Sequence, residues 1–267
     1  MIIDFHAHIY PEKVAAKILP AAKKKLKVAV PGTGSPEDLR SRMKGSGIDH
    51  SVLLSLAKGR EDVSTLNQWV LSVCENGLIP FGAVHPFMEN LEEELDKLAN
   101  LGIKGVKMMP LLQEVYPDDP KCGRLYEALI KRKMILVTHA GRDPLDREEV
   151  FGTPERFART IESYPDLRLV LAHLGGLGMY DQVREHLLDA GGNVYFDTAY
   201  VSFYLKEDEM ASLIKDIGAE KVLFGSDYPW EDPGRAAEIV KRLDLAEEER
   251  QDILSGTACR LLGITSP

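Results

Sequence analysis

Two histidines one residue apart close the first apolar run of the chain, Ile2-Ile3-Asp4-Phe5-His6-Ala7-His8. On a β-strand, side chains two apart leave the same face, so His6 and His8 project side by side. Two neutral imidazoles held together are half of a metal site. On their own they are equally two unrelated polar residues at a strand end. Three residues downstream can supply the rest: His139 after Thr138, His173 after Ala172, and Asp227 in Gly225-Ser226-Asp227-Tyr228-Pro229, while Lys107 in Gly105-Val106-Lys107 occupies a similar position. Each lies in or just after a short apolar run. Imidazole nitrogen and carboxylate oxygen suit zinc, and a coordination position left open by the protein holds a water whose pKa falls to about 7.

The elements that must carry these residues repeat along the chain. Apolar strands are predicted at 51–55, 78–84, 103–108, 134–138, 167–172, 193–197 and 221–225, after the N-terminal one. Helical stretches lie between them. The first runs from Glu12 to about Val28, and the second opens at Ser35-Pro36-Glu37-Asp38, with a capping serine and proline at the first helical position. Most strands are short and do not alternate, as expected when both faces are buried in a parallel sheet. Eight strands, each followed by helix, predict a distorted (β/α)8 TIM barrel with an extra C-terminal helix, in one domain spanning 1–267. An open doubly wound sheet is the competitor, but no Gly-x-Gly-x-x-Gly opens a helix.

In such a barrel the site lies at the C-terminal mouth, built from strand ends. Strand 1 ends in His6 and His8, strand 4 carries Lys107, strand 5 ends in His139, strand 6 in His173 and strand 8 in Asp227. Four of the chain's seven histidines thus fall on one ring. Singly, His139 reads as well as a partner for a loop carbonyl, His173 as a satisfied core histidine and Asp227 as a turn or cap residue. Jointly they point to a metal site.

His-x-His on strand 1, histidines on strands 5 and 6, and Gly-Ser-Asp-Tyr-Pro on strand 8 resemble the amidohydrolase superfamily. The closer likeness is to its metal-dependent branch, the amidohydrolase-2 enzymes that include aminocarboxymuconate semialdehyde decarboxylase and γ-resorcylate decarboxylase. The resemblance covers nearly the whole chain and does not specify a substrate. It implies that His6, His8, His139 and Asp227 bind one divalent metal, zinc first, with manganese or a second metal left open. His173 is implied as a catalytic acid/base, or a ligand if two metals bind, and Asp227 as the base that takes a proton from bound water. Lys107 is either a carbamylated bridge between two metals or a contact to substrate. It and Lys104 have opposite strand parity, so one of them points inward. Nucleases of the superfamily usually carry a glutamate on this strand, which is absent here. Decarboxylating members tend to be longer. The expected activity is therefore hydrolysis of a small ester, amide or lactone, with decarboxylation of a small aromatic or unsaturated acid as the alternative and a non-catalytic metal-binding barrel as a third reading. Glu12 is a candidate counterpart of an acidic residue near His-x-His in those decarboxylases.

Arg142 follows His139 by three residues and can hold a substrate carboxylate in a fork; a surface charge paired with Asp143 is the plainer reading. Arg60 is a weaker candidate of the same kind. Tyr116, Phe203, Tyr204, Tyr228 and above all Trp230 are candidates to wall a pocket. The other histidines, His50, His85 and His186, read as structural. The chain is 44% hydrophobic and 28% charged, an ordinary globular composition. A net charge of -9 argues against nucleic acid. No apolar run approaches the roughly 18 residues of a membrane span, and no signal peptide opens the chain. Cys74, Cys122 and Cys259 are widely spaced and odd in number, as in a reduced compartment. The expectation is a cytoplasmic enzyme with a small-molecule substrate, a homodimer being left open.

Overall fold

The computed structural model describes residues 1–26, 30–75, 77–144, 149–189, 191 and 193–265. Eight parallel strands follow one another around a single sheet in chain order: β1 (Ile3–Ala7), β2 (His50–Leu54), β3 (Leu78–Ala83), β4 (Gly105–Met108), β5 (Ile135–Thr138), β6 (Arg168–Leu171), β7 (Val194–Asp197) and β8 (Val222–Leu223). Between β8 and β1 the ladder is replaced by separate backbone bonds, Phe5 N–H to Phe224 O at 2.7 Å and His8 N–H to Tyr228 O at 2.6 Å. The result is a nearly closed (β/α)8 barrel, distorted at this junction as expected.

Helices fill the connections. Two lie between β1 and β2: α1 (Glu12–Leu26) and α2 (Pro36–Ser46). Val28, where the sequence places the end of the first helix, lies outside the described residues. The capping signal at Ser35 is realised: its hydroxyl accepts from Asp38 N–H at 3.2 Å, and Gly47 closes α2 in the left-handed conformation, φ 66°. The helix α3 (Val63–Val73) follows β2, and α4 (Leu91–Asn100) follows β3. After β4 come α5 (Pro110–Gln113) and α6 (Gly123–Arg132), and after β5 comes α7 (Pro154–Ser163). The remaining connections carry α8 (Tyr180–His186) and α9 (Glu207–Ile217), and β8 leads into α10 (Pro233–Arg242). The predicted extra C-terminal helix is α11 (Glu247–Gln251) running through a π-helical turn, Asp252–Gly256, into α12 (Thr257–Leu262). Among the described residues no helix is long and apolar enough to cross a membrane.

The core has two layers. Inside the barrel, Ile3, Phe5, Val52, Leu54, Phe81, Val137 and Leu223 pack together, closed from below by Ala258 and Leu262 of α12. Between strands and helices lies the larger layer, which includes Ala7, Leu53, Leu136, Leu169, Phe196 and helix residues such as Leu95 and Leu129. Strand β1 changes phase between these layers. Ile3 and Phe5 belong to the interior and Ala7 and Ile9 to the outer layer, and its pairing with β2 is irregular between Asp4 and Ala7. A local bulge of this kind turns His6 and His8 into the barrel above Phe5, where strict alternation would have sent them to the opposite face.

Candidate metal centre

The barrel mouth opens into a cavity of about 510 Å³ whose lining includes His6, His8, Lys107, His139, His173 and Asp227. Five strands deliver them. Gly225 allows β8 to pass β1 closely: a Cβ there would lie 2.8 Å from His6 Cβ. His173 and Asp227 both have left-handed backbones, φ 60° and 65°, a conformation that costs a β-carbon-bearing residue of order 1–3 kcal/mol. Each is held in it. His173 N–H donates to Asp197 Oδ1 at 2.9 Å, and Asp227 N–H donates to His6 O at 2.7 Å.

The hydrogen bonds fix which nitrogens are free. His6 Nδ1 lies 2.8 Å from Asp197 Oδ2, and His8 Nδ1 lies 2.6 Å from Leu54 O. His173 Nδ1 lies 2.7 Å from Ala199 O, and His139 Nε2 lies 3.0 Å from Arg142 O. All four partners only accept, so each of these nitrogens donates, and the other nitrogen of each neutral ring carries a lone pair. Those lone pairs face one another: His6 Nε2 is 3.2 Å from His8 Nε2, and His173 Nε2 is 3.0 Å from His139 Nδ1. Asp227 Oδ1 joins the first pair, 3.2 Å from His8 Nε2 and 3.6 Å from His6 Nε2. Buried acceptors pressed on acceptors repel unless a cation or a proton lies among them. Lys107 Nζ reaches His6 Nε2 only at 3.4 Å.

Ionisation follows the same logic. Burial pushes the imidazolium forms of His6, His139 and His173 down, His173 to about 3. Burial alone would raise the Asp227 carboxyl, but attraction to protons on the neighbouring His6, His8 and His173 rings outweighs burial and holds it below the usual range. Asp197 is likewise held down, chiefly by His6 against burial. Burial draws the Lys107 ammonium down to about 8. Neutral imidazoles beside an ionised carboxylate are the protonation states a divalent cation requires, so the residues fit such an ion. His6, His8 and Asp227 form the compact set, their ligand atoms all within 4.8 Å of one another. His139 lies outside that set, paired with His173.

Other expectations sort clearly. Lys107 is buried on β4 and Lys104 exposed, so the inward lysine is Lys107. Trp230 lines the cavity. The Arg142 side chain is exposed and absent from the lining; its carbonyl, not its guanidinium, serves the site. Arg60 is exposed and bonds Phe87 O, and Glu12 is exposed at the start of α1. Tyr228 is buried elsewhere, its hydroxyl donating to Asp38. Tyr116 stacks on Phe151, away from the cavity.

Two acids in the site received no role from the sequence. Asp4 accepts from His6 N–H, Ser226 N–H and the Ser226 hydroxyl, which joins β1 to the residue before Asp227. Asp197 orients two rings at once, through His6 Nδ1 and the His173 backbone. Its position at the C-terminal end of β7 was the available signal. Replacing Asp197→Asn is expected to weaken metal affinity roughly 10–100-fold, the usual effect of removing a charged partner behind a ligating histidine. Competition with a chromophoric chelator measures this, and an unchanged affinity would mean that Asp197 has only a packing role.

A family model described as Amidohydrolase matches residues 3–264. No curated protein matches the chain in sequence. Among solved structures, a 2,6-dihydroxybenzoate decarboxylase complexed with 2,6-dihydroxybenzoate is similar with TM-score 0.77 at 20% identity, over 99% of this chain and 98% of that one. A dihydroxybenzoic acid decarboxylase from a Polaromonas species, with bound manganese and 2-nitroresorcinol, gives 0.74 at 18% identity, over 100% and 98%. A protein from Pseudomonas putida described as a 2-pyrone-4,6-dicarboxylic acid hydrolase gives 0.72 at 19%, over 100% and 98%.

Proposed function

The chain belongs to the amidohydrolase family, and from that premise we propose that it is a metal-dependent decarboxylase of a small aromatic carboxylic acid. The observation that carries the choice of lyase over hydrolase is the likeness, along the full length, to decarboxylases of hydroxylated benzoic acids. The likeness runs over 98% of the 2,6-dihydroxybenzoate decarboxylase, so it is not confined to one part of that enzyme. The cavity agrees: a floor of imidazole and carboxylate groups lies beneath walls such as Leu56, Met109 and Leu177, which suits a flat ring with one polar end. The likeness to the pyrone dicarboxylic acid hydrolase keeps hydrolysis as the second reading.

His6, His8 and Asp227 would hold the ion, with His139 beside them. A divalent cation supplies positive charge that draws in and orients an anionic oxygen of the substrate. The manganese of the Polaromonas relative makes that ion as good a candidate as the zinc suggested by the ligand types. Decarboxylation breaks the bond between ring and carboxyl carbon, leaves its electron pair on the ring carbon as carbon dioxide departs, and requires a proton at that carbon. His173 is the residue placed to hold and pass this proton. Its Nδ1–H is committed to Ala199 O, so the ring is fixed with Nε2 toward the cavity. Burial keeps it neutral, whereas an arriving carboxylate favours its protonated form. Lys107 offers a buried ammonium for the substrate's second polar group.

The test is a substrate panel on protein loaded with manganese or zinc. Carbon dioxide release is expected from hydroxybenzoic acids, with no turnover of lactones or esters. Hydrolysis of a lactone or ester without carbon dioxide release would overturn the lyase reading.

A further inference from the structure

The connection from β1 to β2 contains one helix more than a barrel turn needs. Helix α2 takes the structural place in the outer ring: Leu39 and Met43 are buried there, in the layer between strands and helices. Helix α1 does something else. Among the described residues its backbone lies close to other elements at few points, and Val14, Ile18, Ala21 and Ala22 all line the mouth cavity. Their spacing, i, i+4, i+7 and i+8, is one face of a helix. Leu66 and Trp69 of α3 also line the cavity. Lys25, exposed at the end of the stripe, also lines the mouth.

An apolar helical face normally meets another apolar surface, because burying it removes about 25 cal/mol per Å² of unfavourable contact with water. Here the face looks into a space continuous with the histidines. That space, about 510 Å³, is more than a single ring fills: a cavity of about 150 Å³ already accommodates benzene. We infer that the substrate carries, beyond its carboxylated ring, a second apolar group of ring size that rests on α1 at Ile18 and Ala21. This specifies the substrate class of the proposed decarboxylase and rests on that reading for the placement of the carboxylate.

Titration calorimetry on the manganese-loaded protein tests it, with a hydroxybenzoic acid and the same acid bearing a phenyl substituent as probes. The phenyl-bearing acid is expected to bind at least tenfold more tightly. Ala21→Trp, at an exposed position of α1, should fill the space and bring the ratio close to one, and Ile18→Ala should lower it severalfold. Equal binding of the two acids to the unaltered protein would overturn the inference, as would a phenyl preference that survives Ala21→Trp. Carbon dioxide measured in parallel separates the two claims. A phenyl preference lost in Ala21→Trp without any carbon dioxide release supports the inference while the lyase reading fails; turnover of one-ring acids with no phenyl preference overturns the inference alone.

Discussion

A His8→Ala variant is expected to lose its bound metal and, with it, more than the roughly 100-fold in activity that outer partners of a ligand cost. The reason is geometric. His8 Nε2 stands 3.2 Å from both His6 Nε2 and Asp227 Oδ1, so it is the member that joins the set. Without it, one imidazole and one carboxylate oxygen remain, 3.6 Å apart, and two donors bind a divalent ion weakly. Leu54 O would also lose its donor, though at the cavity floor water can replace it. Metal content by mass spectrometry and turnover should fall together, and added metal should not restore either at concentrations that saturate the unaltered protein. Full metal content in His8→Ala would remove His8 from the ligand set and undo the reading of His-x-His.

The second large effect is at His173, and it should have the opposite signature. Loss of its imidazole is expected to lower kcat by 10²–10⁴, the range for a positioned acid or base, while metal content stays intact. The choice of replacement matters. At φ 60° alanine is strained, whereas asparagine tolerates the left-handed region. His173→Asn therefore removes the proton-carrying ring without adding a backbone penalty, and Asn and Ala variants of equal activity would exclude strain as the cause. Loss of metal in step with activity would instead make His173 a ligand, since its Nε2 lies only 3.0 Å from His139 Nδ1.

Much of this was legible in the sequence because a barrel turns order along the chain into position in space. Short apolar runs gave the strands, and the polar residue after each run gave the ring at the mouth. The rule fails where position is not set by the run. Alternation from Phe5 alone sends His6 to the wrong layer, and the phase change in β1 depends on pairing with β2. Arg142 has the right spacing from His139, but a loop can present either a carbonyl or a side chain, and here it presents the carbonyl. Asp197 ends its strand as His139 and His173 follow theirs, yet its value lies in hydrogen bonds to the His6 ring and the His173 backbone, on other strands, that no local pattern contains. Helix α1 was visible as a helix; that its apolar face meets the mouth follows from α2 already occupying the outer ring.

The junction of β8 with β1 has a further consequence. With β8 only two residues long, the first and last strands meet through a few separate backbone bonds. His6 and His8 stand on one side of that seam and Asp227 on the other, nearly the whole chain apart in sequence. An ion gripped by all three is a cross-link between the first and last strands of the barrel, closing a loop of about 220 residues. Metal present at a hundred times its dissociation constant would add about 2.7 kcal/mol to folding stability. The centre that handles the substrate would then also be the clasp that shuts the barrel.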